Sequence, residues 1–237
     1  MNPVIYISRK KISRILLVVV GILFLAGLVS NVLQLLSVHG SLLTQIKKSY
    51  IRLFSLDLEA NIPTWFSSCL LFLCSALLTL IAVAVRTTKG RYFFHWGMLS
   101  AIFLYMSLDE TAIIHEMAIK PVRALLHTTG YLYYAWVIPA GVILIILGVV
   151  YLKFLADLPS SIRWLFVTAG VVYVVGLMGL ESVTGRLAER YGEGSLTYQL
   201  VSSIEEFFEM VGLVIFIYAL LKYLRVHHAE YFLRIGD

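Results

Sequence analysis

The chain has 237 residues, of which 60% are hydrophobic and 14% charged; a soluble domain is about half apolar and about a quarter charged. This excludes an ordinary soluble globular protein and divides the length into apolar spans of about 20 residues each. The net charge of +5 sits at the ends of apolar runs, with no basic groove carrying stacking aromatics, which excludes nucleic acid as a partner.

The first apolar run covers residues 15–36 and follows Arg9, Lys10, Lys11 and Arg14. It has full spanning length and no small-x-small cleavage site, so it reads as a retained span rather than a signal peptide. Residues 41–58 alternate Leu42, Leu43, Ile46, Ile51 and Phe54 with Gln45, Lys47, Lys48 and Arg52. That spacing predicts a short amphipathic helix on the membrane surface between spans one and two.

Span two is predicted over residues 65–85, with Asn61 and Pro63 suited to a helix start and Trp65 to an interfacial anchor. Cys69 and Cys74 both lie in this run, five positions apart, and point in different directions as apolar filler. Span three is predicted over 93–119, helical up to the neighbourhood of Pro121, and span four over 131–151, opened by an aromatic belt of Tyr131, Tyr133, Tyr134 and Trp136. Spans five and six are predicted over 162–188 and 196–224. Gly176, Gly179 and Gly185 permit close helix packing. Asn31, Gln34 and His39 at the end of span one read as interfacial, as do His95 and His127; His227 and His228 read as solvated tail.

The expected fold is therefore all-α: one polytopic transmembrane domain of about six spans. Placing both termini in the cytoplasm puts 12 of the 19 Lys and Arg residues inside, against seven outside, which favours that orientation. Of the acidic residues, Asp157, Glu230 and Asp237 then fall inside, and the other eleven of 14 fall in or beyond the outer half of the spans. The expected location is a bacterial inner membrane, and the expected partners are the lipid bilayer and further copies of the chain where a transport path has to be completed.

The candidate chemistry lies in that acidic group. Span three ends in Ser107-Leu-Asp109-Glu110-Thr-Ala-Ile-Ile-His115-Glu116. On a continuous helix, Asp109 and Glu116 share a face two turns apart, flanked by Glu110 and His115. In span six, Glu205, Glu206 and Glu209 fall with Ser202 within an arc of about 100°. Span five adds Glu181 after an apolar stretch. Packed together, the three spans would bring up to seven carboxylates and one histidine to one depth.

Ionisable groups within a membrane cost about 2.5–3.5 kcal/mol each and mark functional interiors. Neighbouring carboxylates also repel unless they hold protons or a cation. Carboxylates with an imidazole suit iron, manganese or zinc. The metal candidates are Asp109, Glu110, His115, Glu116, Glu181, Glu205, Glu206 and Glu209, with Glu181 and Glu209 foremost. Glu59 and Asn61 could fold over the outer mouth, although they read more simply as the start of span two. The competing view makes these acids wet residues at helix ends, paired with Lys120, Arg123, Arg186 and Arg190.

Glu205-Glu206 is similar to the paired glutamates of CAAX-type intramembrane proteases. That family's arginine shortly after the pair and its later histidine motifs are missing here. No Gly-x-Ser-x-Gly elbow, Walker loop or His-Glu-x-x-His motif occurs. The leading expectation is a cation-binding site, for metal or proton, open to the extracytoplasmic side of an ion transporter or channel. A metal-dependent membrane enzyme acting on a lipid or another apolar substrate is the rival. A structural or assembly subunit of a membrane complex is the third.

Overall fold

The structure, a computed structural model, describes residues 8–36 and 40–227. His39, His228, Glu230, Arg234 and Asp237 lie outside the described residues. Eight helices occur among the described residues, and no strand. They are α1 (Arg9–Leu35), α2 (Ser41–Phe54), α3 (Ile62–Thr87), α4 (Phe93–Ala112), α5 (Ile119–Leu126), α6 (Val137–Asp157), α7 (Ser160–Tyr191) and α8 (Leu196–His227). Within α7, Val175–Leu180 form a turn of π-helix.

Five of these helices, α1, α3, α6, α7 and α8, are long and apolar enough to cross a membrane. The α4–α5 pair adds a sixth if counted together, but it is bent by 78°. The distribution of burial is compatible with a protein solvated by lipid. Val18, Ile22 and Leu25 of α1 and Val142, Ile143, Ile145, Ile146 and Val149 of α6 are all exposed. Such apolar surface is large for a soluble monomer and ordinary for a helix facing acyl chains.

The centre is α8. Its Met210, Leu213, Val214, Ile217 and Leu220 are buried, and α1, α3 and α7 pack around it. Between apolar helices in lipid, close packing and interhelical hydrogen bonds hold the bundle. Two glycines set the α7–α8 crossing: a Cβ on Gly176 would stand 2.9 Å from the Glu205 carbonyl, and one on Gly212 would stand 2.8 Å from the Tyr173 amide. The α3–α4 contact is a ladder of small hydroxyls. Ser68 bonds the Ser107 carbonyl at 2.7 Å, and Ser75 bonds the Ser100 carbonyl at 2.8 Å. The seven-residue spacing on both helices keeps these serines on one face.

Asn31 departs from the interfacial expectation. It is buried, donates to Ser203 Oγ at 2.9 Å and joins α1 to α8. Gln34 belongs to the same contact, accepting from Gln199 Nε2 at 2.6 Å.

The predicted amphipathic segment is helical over Ser41–Phe54, with no buried residue. It runs back along α1. Lys47 Nζ donates to the Leu36 carbonyl at 2.6 Å, and the Tyr50 hydroxyl to the Ala26 carbonyl at 3.2 Å. Span three differs from the expectation. The helix stops at Ala112, where Ile113 adopts φ 57°, and a 3-10 turn (His115–Ala118) leads into α5. Span four begins later than expected, at Val137, because residues 130–132 form a 3-10 turn.

Candidate functional site

The site forms where the end of α4, the π-turn of α7, the middle of α8 and the α2–α3 loop meet. The α3 start is fixed by Asn61, whose Oδ1 accepts from the Thr64 amide at 3.1 Å while its Nδ2 donates to the Ser55 carbonyl at 2.6 Å. Asn61 is thus an N-cap that ties down the loop carrying Glu59. On α8, Glu205 and Glu206 lie nine and ten positions beyond Leu196, so they are well inside the helix rather than at its end. Glu205 and Glu209 are 7% and 6% exposed, which overturns the reading of these acids as wet residues at a helix terminus.

The π-turn determines where Glu181 points. One extra residue in the turn rotates everything after it by about a quarter turn relative to the preceding helix, and such bulges recur at functional sites. Gly176 within the turn lets α7 close onto α8, since a Cβ there would sit 2.9 Å from Glu209 Cγ. Glu181 then accepts a hydrogen bond from Trp136 Nε1 at 2.9 Å and stands within electrostatic reach of Glu205. Thr184 Oγ lies 3.2 Å from Glu205 Oε2. Glu206 faces Glu209, Glu110, Glu59 and Glu181. The Tyr173 hydroxyl pairs with Glu209, and that of Ser67 with Glu110.

Glu110, Glu181, Glu205, Glu206 and Glu209 are therefore brought together, and Glu59 joins them. Part of the Glu59 side chain reaches the surface. Burial of its carboxyl raises its pKa above the ordinary glutamate value, against the opposing effect of His115. Asp109, His115 and Glu116 behave differently from the expectation. Because α4 ends at Ala112, Asp109 and Glu116 share no helical face. Asp109 instead closes the turn, accepting from the His115 amide at 2.8 Å and lying 3.0 Å from His115 Nδ1. Glu116 is exposed. The His115 ring sits 4.7 Å from that of Trp136, so the Asp109–His115 pair abuts the residue that bonds Glu181.

The left-handed Ile113 marks stored strain. A β-branched residue at positive φ costs of order 1 kcal/mol, and strain of this kind collects at functional sites.

No Lys or Arg forms an ion pair with the cluster among the described residues, and His115 is the base that stands beside it. Arg123 caps the Tyr133 carbonyl and lies 3.8 Å over the Tyr133 ring, Arg186 lies 4.6 Å over Tyr131, and Arg190 lies 5.2 Å over Tyr191. The ion pairs among the described residues are Arg91–Asp157 and Asp109–His115. No group of three His, Cys, Asp or Glu side chains among the described residues is arranged to hold a metal ion. Below the cluster, Met210, Leu213 and Ile217 of α8 and Leu71, Cys74 and Leu78 of α3 form a closed apolar layer.

A family model described as a domain of unknown function, DUF8692, matches residues 14–224. The chain belongs to the DUF8692 family. The matched region runs from α1 through α8 and contains the whole acidic cluster. No curated protein and no solved structure matches the chain.

Trp136, Tyr173, Thr184 and Ser67 were not foreseen as site residues. An indole or hydroxyl in an apolar run carries no charge to reveal it, and Trp136 reads in sequence as part of an interfacial belt. Glu59 reads in sequence as a residue that could fold over the outer mouth, although more simply as part of the start of span two.

Proposed function

We propose that this protein is an integral membrane protein whose buried carboxylates bind protons or a cation from one face of the bilayer, as the loading site of an ion transporter or channel. The observation that carries the reading is the gathering of Glu110, Glu181, Glu205, Glu206 and Glu209 where no Lys or Arg ion pair among the described residues offsets them and His115, already paired with Asp109, is the nearby base. Carboxylates crowd together in this way only when protons or a cation offset their mutual repulsion. The dispersed donors from Trp136, Thr184 and Tyr173 suit carboxyl groups that change charge and keep their hydrogen bonds. Where a cation is bound, Glu181, Glu205, Glu206 and Glu209 are its ligands, with Glu110 and Glu59 at the rim.

Lys and Arg placement orients the site. Arg9 lies over Tyr218, Lys222 donates to the Ser161 carbonyl, and Arg91 pairs with Asp157, so these basic residues share the end of the bundle opposite the cluster. By the positive-inside rule, this placement supports a cytoplasmic position for that end and an extracytoplasmic one for the acidic end. Transport then requires the apolar layer under the cluster to open or to become wet.

That same layer supports the second reading. A one-sided site over a closed floor suits a metal-dependent enzyme acting on a lipid, in which Glu181, Glu205, Glu206 and Glu209 would hold iron, manganese or zinc and the metal would supply activation of a water.

The decisive experiment reconstitutes wild type and Glu206→Gln in proteoliposomes and follows proton and cation flux, with metal content measured on the same preparations. Flux in wild type that is lost in Glu206→Gln supports transport. Absence of flux together with a stoichiometric transition metal lost in Glu181→Gln and Glu209→Gln supports the enzyme. Neither flux nor metal overturns both and leaves the role of an assembly subunit.

A further inference from the structure

Fifteen positions back along α4 from Glu110, and so about 22 Å away, a second site opens between the start of α4 and the last turns of α6. It is a cavity of about 430 Å³ lined by Arg91 through His95 and by Val150 and Lys153. Its charge and its walls differ in kind. Arg91 shares the single nearby carboxylate, Asp157, at 3.4 Å. The Tyr92 hydroxyl bonds the same carboxylate. Lys153 has no ion pair among the described residues. Arg86 in the last turn of α3 and Lys89 in the α3–α4 connection add to its charge, so the local balance is positive. The mouth, by contrast, is apolar: Phe94 is 82% exposed and Val150 46% exposed on the outer faces of their helices. The rear wall is rigid, with His95 stacked on Phe154 at 5.7 Å and 10° and Tyr151 bonded to the His95 carbonyl at 2.8 Å.

We propose that this cavity binds the phosphate headgroup of an anionic glycerophospholipid. Arg91 and Lys153 hold the phosphate, and the acyl chains lie along Phe94 and Val150. Basic pockets at the ends of spanning helices recognise such headgroups, and Arg supplies paired donors for phosphate oxygens while Lys adds a point charge. The first amides of α4 carry no side-chain cap and add to the same positive field. The apolar mouth selects a lipid over soluble phosphate, because an inorganic ion would gain nothing from Phe94 or Val150.

The test is native mass spectrometry of the detergent-purified full chain titrated with phosphatidylglycerol or phosphatidylcholine. Wild type should retain one phosphatidylglycerol at about tenfold lower concentration than phosphatidylcholine, from about 1 kcal/mol per engaged cation. Lys153→Gln, at an exposed position, should reduce that preference several-fold, and Arg91→Gln with Lys153→Gln should abolish it. Lys120→Gln, in α5 beyond the other end of α4, should leave it intact. Equal retention of the two lipids, or a preference unchanged in the double variant, would overturn the proposal. Displacement of the lipid by millimolar inorganic phosphate would overturn it in favour of a soluble anion site.

Discussion

The indole of Trp136 donates its N–H to Glu181 Oε1 at 2.9 Å across the junction of two helices. Trp136 comes just before α6 and Glu181 just after the π-turn of α7, so this one bond ties the entry of one spanning helix to the acidic cluster. Trp136 is 7% exposed, and water does not readily replace its donor. Trp136→Phe keeps the ring and removes the bond. The expected loss is about 1.5–3 kcal/mol, the range for hydrogen bonds to charged groups, read as a lower melting temperature in detergent. An unchanged melting temperature would show that the indole and the carboxyl do not bond.

The two glycines in the π-turn should respond oppositely. A Cβ on Gly176 meets the Glu205 carbonyl and Glu209 Cγ, both at 2.9 Å, whereas one on Gly179 meets nothing nearer than 4.0 Å. Gly176→Ala should cost about 1–3 kcal/mol as α7 is pushed from α8 and should impair flux or metal retention, whichever the protein shows. Gly179→Ala should be close to neutral. Equal tolerance of both would mean that the helices cross farther apart than described.

The α3–α4 hydroxyl ladder gives a third expectation. Ser75→Val removes the bond to the Ser100 carbonyl and leaves Ser100 and Thr79 to bond each other at 2.7 Å. The loss should be small, about 0.6–1.5 kcal/mol. Ser68→Val together with Ser75→Val should lose about twice as much, since the two rungs are two turns apart and act independently. A thermal melt of Ser68→Val, Ser75→Val and the double variant decides it.

Asp57, in the loop before α3, makes stability depend on pH. Burial raises its carboxyl to about 6, opposed by the Tyr198 hydrogen bond. The folded protein therefore holds this proton more tightly than the unfolded chain does. The stabilisation it brings is complete below about pH 4 and is lost as pH rises through about 6. Asp57→Asn keeps an acceptor for Tyr198 and removes the charge. It should flatten the stability profile between pH 4 and 6 and raise the melting temperature at pH 7, by about 1–3 kcal/mol equivalent. Parallel profiles for the two proteins would remove Asp57 from the account.

The all-helical character and the runs apolar and long enough to cross a membrane follow from the sequence alone, because a 20-residue apolar run needs no tertiary partner to be recognised: lipid can solvate its outer face and the helix satisfies its own backbone. The acidic residues of the cluster could be named for the same reason, since carboxylates in such runs stand out wherever the chain folds. Their company could not. The break at Ile113 has no glycine or proline to announce it. It is held by Asp109 turning back to His115, a contact six residues apart that replaces the helical register expected to join Asp109 with Glu116. Glu181 reaches Glu205 only because a π-turn rotates it and Gly176 admits α8. Trp136 reaches Glu181 only because the chain before α6 folds inward. Each of these depends on residues far apart in the chain meeting at one place, and periodicity along a single helix carries no record of which faces will meet.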